Sequence, residues 1–332
     1  MNVFEIQESK ELVLSERPQP QPKIGEVLVK IKAVSLNYRD LLVIKWLYNP
    51  HLNLPLIPCS DGVGEVAAVG TAVTKFKPGD RVAGIFMQKW LAGNLTEEAA
   101  KSALGGEIQG MLAEYVVLPE SGLVHVPPHL SDAEAATLPC AAVTAWHGLI
   151  EAGLKPGETV LVMGTGGVSL FALQFALMAG ARVIATSSSD AKLERMKQLG
   201  ASDVINYKSV PNWERQVLEL TDGVGVDYVV EVGGANTLAK SLAAVKVGGQ
   251  ISLIGVLAGV QAEVNPLPAV MKGVRIQGIF VGSRQMFEAM NRAITVNKLH
   301  PVCDREFSFY ETLEALSYME SGNHFGKITI KL

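Results

Sequence analysis

The chain has 332 residues, more than one hydrophobic core ordinarily spans, so two domains are expected. Its hydrophobic content of 48% is ample for both cores, whereas a net charge of −4 with no Lys/Arg cluster gives no basic field for nucleic acid. Charges run through the first residues, and no stretch of about 18 uncharged apolar residues occurs, so the sequence carries no sign of a membrane span and the expectation is a soluble, cytoplasmic protein.

Taken in order, the region up to about residue 127 reads as all β. Val27, Val29, Ile31 and Ala33 alternate with Leu28, Lys30 and Lys32. Further strands are predicted over 63–69, over 81–85 after the turn Pro78-Gly79-Asp80, and over 113–118. Short strands with such punctuation suggest a small barrel. Residues 91–110 are polar and glycine-bearing, a surface excursion with one helical turn at 97–103. Ser131 and Glu134 form a capping box that starts a helix running to about Ala152, with Gly153 as its stop. Cys59, Cys140 and Cys303 are widely spaced and suit reduced thiols better than a disulfide framework.

Residues 159–189 then read as strand, glycine turn, helix and strand. Gly164, Gly166 and Gly167 follow an apolar β-rich run, and Val168, Leu170, Phe171, Leu173, Phe175 and Leu177 recur at helical spacing. Gly164 permits the tight exit from the strand. Gly166 lets backbone approach a pyrophosphate, and the helix points unpaired N–H groups at it. Ser169 replaces the third glycine of the G-x-G-x-x-G pattern, at a position that governs helix packing. Alternating elements follow: strands over 204–206, 226–232, 250–256 and 274–281, with helices over 213–220 and 237–245. Six strands complete a doubly wound sheet. Beyond Ser283, helices over 285–296 and 310–321 and a strand over 327–332 no longer alternate in this way. They are expected to return to the first domain, leaving the nucleotide domain inserted and the active site in the cleft between the two.

SLNYRDL at 35–41, PCSDGVGEV at 58–66, KPGDRV at 77–82, LPCAAVTAWHGL at 138–149, the glycine turn, GVDYVVEVGG at 225–234 and SGNHFGKI at 321–328 together resemble the medium-chain dehydrogenase/reductase superfamily. The resemblance covers essentially the whole chain and is nearest the zinc-lacking, alcohol-dehydrogenase-like branch beside the quinone oxidoreductases. It implies an α/β fold in which a doubly wound, parallel, six-stranded Rossmann sheet (127–282) is inserted in a mostly β, GroES-like catalytic domain (1–126 and 283–332).

In zinc alcohol dehydrogenases a cysteine, a histidine and a second cysteine hold catalytic zinc. The matching places here are Asn37, Ser60 and Cys140, and the four-cysteine structural zinc lobe has no counterpart over 87–112. The resemblance therefore implies a site without metal. Lacking Lewis-acid polarisation, such a site needs a substrate that already accepts hydride well, such as a quinone or an α,β-unsaturated carbonyl. Tyr48 matches a cleft tyrosine of similar reductases, as hydrogen-bond donor or acid, and Asn37 is the amide donor to the oxyanion. Tyr48 equally suits shaping the pocket, Asn37 suits capping backbone, and Asp40 suits orienting its neighbours.

No Asp or Glu ends the second strand; Ser187 and Ser188 stand there, and Lys192 and Tyr207 match positions that clamp a 2′-phosphate, so the cofactor expected is NADP(H). Serines capping the helix from Asp190 would fit the same residues. Family positions place Thr144 under the nicotinamide, Val232 near the adenine side, Gly255 and Val256 after the fifth strand, Phe280, Val281 and Gly282 after the sixth, and His324 near the pyrophosphate. The apolar last strand implies a homodimer. Other readings that the sequence leaves open are an alcohol dehydrogenase or carbonyl reductase of the same superfamily, and an NADPH-binding protein without significant turnover.

Overall fold

Alternation in the first region builds strands. The computed structural model describes residues 1–49 and 51–332 and opens with β1 (Asn2–Ile6) and β2 (Leu12–Glu16), an antiparallel pair. There follow β3 (Glu26–Ser35), α1 (Tyr38–Ile44), β4 (Asp61–Val69), β5 (Arg81–Gly84), α2 (Glu97–Ala100), β6 (Tyr115–Pro119), β7 (Leu123–His125) and α3 (Asp132–Ala136). β3 is the hub, pairing with β4 along its length and with β6 at its first half. Val29, Ile31, Val66, Val82, Met111 and Leu118 are buried together at its heart.

Ser131 caps α3 as expected: its hydroxyl accepts from Glu134 N at 3.2 Å, and the Glu134 carboxylate accepts from Ser131 N at 2.8 Å. The single helix expected up to Ala152 is broken, however. Wider π turns occupy Leu138–Ala142 before α4 (Val143–Leu149). Pro139 has no N–H to give and its ring crowds the preceding turn, so the regular ladder cannot pass through it.

The alternating region gives β8 (Thr159–Met163), α5 (Gly167–Met178), β9 (Arg182–Ser187), α6 (Asp190–Gln198), β10 (Asp203–Asn206), α7 (Trp213–Leu220), β11 (Val226–Glu231), α8 (Ala235–Ala244), β12 (Val245–Leu253), α9 (Leu267–Lys272) and β13 (Arg275–Gly278). The six strands are parallel in the order β10-β9-β8-β11-β12-β13, and the order reverses between β8 and β11. Covered on both faces, β8 is a nearly unbroken apolar run, and α5 buries Leu170, Phe171, Leu173 and Phe175. β13 stops well short of residue 281. Val281 has φ +58°, a left-handed conformation that no extended strand accommodates.

The remainder forms α10 (Arg284–Asn297), β14 (Cys303–Ser308), α11 (Thr312–Glu320) and β15 (Lys327–Lys331), and β15 pairs antiparallel with the end of β3. The chain thus divides into two compact units, 1–143 with 282–332, and 144–281. Residues 127–143, expected with the nucleotide-binding region, belong to the first unit: Arg81 bonds Asp132 at 2.6 Å and Cys140 N donates to Asp61. Among the described residues no helix is long and apolar enough to cross a membrane.

Candidate active site

Three segments of the first unit converge at the end of β3. Asn37, with extended backbone, caps α1, and its N–H donates to Asp40 Oδ2 at 2.8 Å. Ser60 and Asp61 open β4 after a left-handed turn at Cys59 (φ +68°). That turn is pressed from outside by two glycines: a Cβ at Gly105 or Gly110 would lie 2.6 or 2.3 Å from atoms of the Cys59 backbone. The third segment is the π stretch, which delivers the Cys140 N–H to Asp61 Oδ2 at 3.1 Å.

Side chains join these segments into one directional chain. Lys327 Nζ donates to Asn37 Oδ1 (2.6 Å), Asn37 Nδ2 faces Ser60 Oγ (3.5 Å), and Ser60 donates to Asp61 Oδ1 (2.7 Å). Lys327, Asn37, Ser60 and Asp61 are all buried, and so is Asp40 beside them. Burial raises the Asp61 carboxyl above its ordinary range, against the pull of Lys327 and of the Ser60 hydrogen bond. Burial also lifts Asp40 to about 6, with Arg39 pulling the other way. The Cys140 thiol is pushed up by burial and then by the Asp61 charge, so it stays protonated.

This set does not fit zinc. One thiol, an amide oxygen bound by an ammonium and a hydroxyl donating to a carboxylate do not make the Cys, His and carboxylate set of a tetrahedral zinc site. Among the described residues no three His, Cys, Asp or Glu side chains are grouped to hold a metal ion.

Tyr48, half-buried, joins this region through Arg39, whose guanidinium carbon lies 4.8 Å from the Tyr48 ring centre and 4.7 Å from that of Phe86, while Nη1 donates to Leu104 O at 2.7 Å. His324 is also in the first unit, half-buried in the turn before β15.

In the second unit, Gly164 has φ +76°, and Gly166 caps α5 with open space where a Cβ would stand. Gly167 and Val168 form the first turn of that helix. Ser169, in place of the third glycine, is buried and donates to Met163 O at 2.7 Å, tying helix to strand. At the end of β9 the Ser187 hydroxyl accepts from Ser189 N at 3.3 Å, and Ser189 caps α6 by accepting from Lys192 N. Tyr207 N donates to Ser187 O at 3.0 Å, so the backbone of Tyr207 lies against the end of β9. Asp190, next along the chain, accepts from Asn206 at 2.7 Å.

Gly164, Val232 and Gly255 meet where β8, β11 and β12 end: a Cβ on Gly164 would lie 3.8 Å from Val232 Cγ2, and one on Gly255 would clash with Val232 O at 2.4 Å. Val256 is exposed, as is part of Phe280, whereas Thr144 and Val281 are buried. The Val281 carbonyl accepts from His147 Nδ1 at 2.7 Å, and Gly282 begins the return to the first unit. Lys327 and, in this unit, Glu231 escaped the sequence reading. Glu231, fully buried at the end of β11, accepts from Gly233 N (2.7 Å), Gly234 N (3.1 Å) and Thr237 Oγ1 (2.7 Å), with Ser241 on its other oxygen. A glutamate closing an apolar run, followed by two glycines and hydroxyls at helical spacing, was the signal available.

Comparison with known proteins agrees with this fold. Residues 23–128 match the family model of the alcohol dehydrogenase GroES-like domain, and residues 167–295 that of the zinc-binding dehydrogenase. A zinc-type alcohol dehydrogenase-like protein of Schizosaccharomyces pombe is 50% identical, covering 93% of this chain and 91% of its own. A 2-methylene-furan-3-one reductase of Solanum lycopersicum is 36% identical over 94% of this chain and 73% of its own. The crystal structure of a putative alcohol dehydrogenase from Sinorhizobium meliloti 1021 superimposes with a TM-score of 0.93 at 42% identity, covering 100% of this chain and 98% of that one.

Proposed function

This chain belongs to the medium-chain dehydrogenase/reductase superfamily, in its alcohol-dehydrogenase-like branch, as an NAD(P)-dependent oxidoreductase, and from that premise we propose that it reduces quinones or α,β-unsaturated carbonyls with NADPH and without zinc. The observation that carries this reading is the chain from Lys327 through Asn37 and Ser60 to Asp61, which ties up in hydrogen bonds two of the three residues that by resemblance match the ligands of zinc relatives. Hydrogen-bond donors of that kind suit an oxyanion already delocalised by conjugation; they are too weak a substitute for a Lewis acid on a simple alcohol.

When bound, the nicotinamide supplies the hydride. Negative charge then gathers on the substrate oxygen, which Asn37 Nδ2 holds by donating a hydrogen bond while the Tyr48 hydroxyl donates its proton. Arg39, stacked on the Tyr48 ring, fixes that ring's plane. For the cofactor, Gly166 leaves space for a pyrophosphate before the first N–H groups of α5. The hydroxyls of Ser187 and Ser188 with Lys192 and Tyr207 form the 2′-phosphate clamp, where an NAD enzyme would place a carboxylate. Thr144, Val281 and Gly282 serve the nicotinamide, Val232, Gly255 and Val256 the adenosine side with Phe280 beyond them, and His324 the pyrophosphate. The same reading pairs two chains along β13 as a homodimer.

The test is consumption of NADPH and NADH by purified protein against a panel of quinones, enones and simple alcohols, each with and without a strong chelator. Turnover of enones or quinones, faster with NADPH and indifferent to chelator, is the expected result. Activity abolished by chelator would sink the metal-free mechanism, and activity on alcohols alone would favour the dehydrogenase reading suggested by the zinc-type relatives.

A further inference from the structure

Lys327 is the first residue of β15, yet it is 4% exposed and lies among acceptors away from solvent. Its ammonium donates to the Leu36 carbonyl oxygen at 2.5 Å and to Asn37 Oδ1 at 2.6 Å. A buried lysine is costly unless balanced, and the balancing carboxylate is Asp61, reached from the same asparagine through Ser60.

This arrangement decides which way the Asn37 amide faces. Turned over, its NH2 would meet the ammonium donor to donor. With Oδ1 held by Lys327, Nδ2 is presented to the side of Ser60 and Asp61, where Ser60 Oγ lies at 3.5 Å and the Asp61 carboxylate also draws on it. The ammonium on the carbonyl end also draws charge through the amide and makes those hydrogens better donors. An anchoring bond alone needs only Leu36; the second bond, to Asn37, is the one with a chemical consequence.

We propose that Lys327 is a positioning residue for hydride transfer: it locks and polarises the Asn37 amide so that Nδ2 donates to the oxygen on which charge develops. This rests on the role given to Asn37 above. A positive charge thereby acts on the substrate through an amide, where zinc relatives apply a metal ion directly.

The experiment uses the full chain with Lys327→Met, Lys327→Arg, and Lys327→Met combined with Asp61→Asn, the last keeping the buried charges balanced should the single change fail to fold. Three readouts are taken. Single-turnover oxidation of NADPH with the best substrate from the panel gives the hydride step, and fluorescence titration gives NADPH affinity. The side-chain amide resonance of Asn37 is followed in asparagine-labelled protein, assigned by its loss in Asn37→Asp. We expect the methionine variants to slow hydride transfer roughly tenfold to a hundredfold, with NADPH affinity changed less than about threefold, and Lys327→Arg to recover most of the rate. In an Asn37→Ala background the methionine change should cost almost nothing further. An unchanged hydride step, a loss of NADPH affinity equal to the loss of rate, or full additivity with Asn37→Ala would overturn the inference. Should the wild type reduce no substrate, the functional reading fails by itself. The amide resonance still decides the contact, because a signal unmoved by Lys327→Met would overturn it without reference to turnover.

Discussion

Asp40 is wholly buried beside Arg39, with Oδ2 accepting from the Asn37 N–H and Oδ1 without a partner among the described residues. Its carboxyl is raised from 3.8 to about 6 by burial, with Asp61 adding to the rise and Arg39 and Lys327 opposing it. A carboxyl that binds its proton more tightly when folded favours the folded state at low pH. Its contribution therefore falls as pH rises from 3.8 to about 6 and is flat above that. Asn in its place keeps the oxygen that accepts from Asn37 and removes the buried charge. Asp40→Asn is therefore expected to be more stable than wild type at pH 8, by up to about 3 kcal/mol, and the gap should shrink toward pH 5. Urea unfolding of both proteins at the two pH values checks this; a gap that is constant or reversed would show that Arg39 and Lys327 already compensate the charge. Asp40 holds the Asn37 backbone N–H at the start of α1, and the expected gap is what its buried charge costs near neutral pH.

At the scale of elements, the turn from β8 into α5 carries its own test. Gly166 has φ −80°, open to any residue, and a Cβ there meets nothing within 4 Å, so the protein alone has no need of glycine at this position. Gly166→Val should leave the unfolding free energy within about 0.5 kcal/mol of wild type while weakening NADPH binding at least roughly tenfold, because the side chain fills the space where a pyrophosphate reaches the helix N-terminus. Calorimetric titration alongside denaturation separates the two effects, and unchanged affinity would count against cofactor binding at this turn. This turn was legible because strands buried on both faces spell apolar runs and the glycines sit between them. β14 was not: of Cys303–Ser308 only Phe307 is buried, and the pairing strand β15 lies beyond a helix. α1 was missed because it is short and its box pairs Asn37 with Asp40 in place of the usual Ser or Thr with Glu. Nor does local pattern announce Lys327, whose partner Asn37 is 290 residues away. Motifs show which residues can do chemistry, and the contact that aims them is set by distant strand pairing.

For the molecule as a whole, the open question is the edge of the six-stranded sheet. β13 pairs with β12 on one side only, and near this edge Ile276 on the strand and Leu267, Val270 and Met271 on α9 are exposed, Met271 by 76%. A strand with free backbone groups and apolar neighbours invites another chain, and monomeric proteins usually blunt such an edge with charge or proline. Arg275 is the one charge within β13, too little to repel a second copy that offers the same apolar surface. A two-fold axis through this edge would pair strand with strand and cover both copies of α9 in one closed contact. The protein should accordingly elute with the mass of two chains in light scattering at micromolar concentration. Combining Val270→Glu with Met271→Glu, both on solvent-facing positions that leave the sheet core untouched, should shift it to one chain with NADPH affinity retained. A wild type that remains a single chain at tens of micromolar would leave this edge without the role proposed for it.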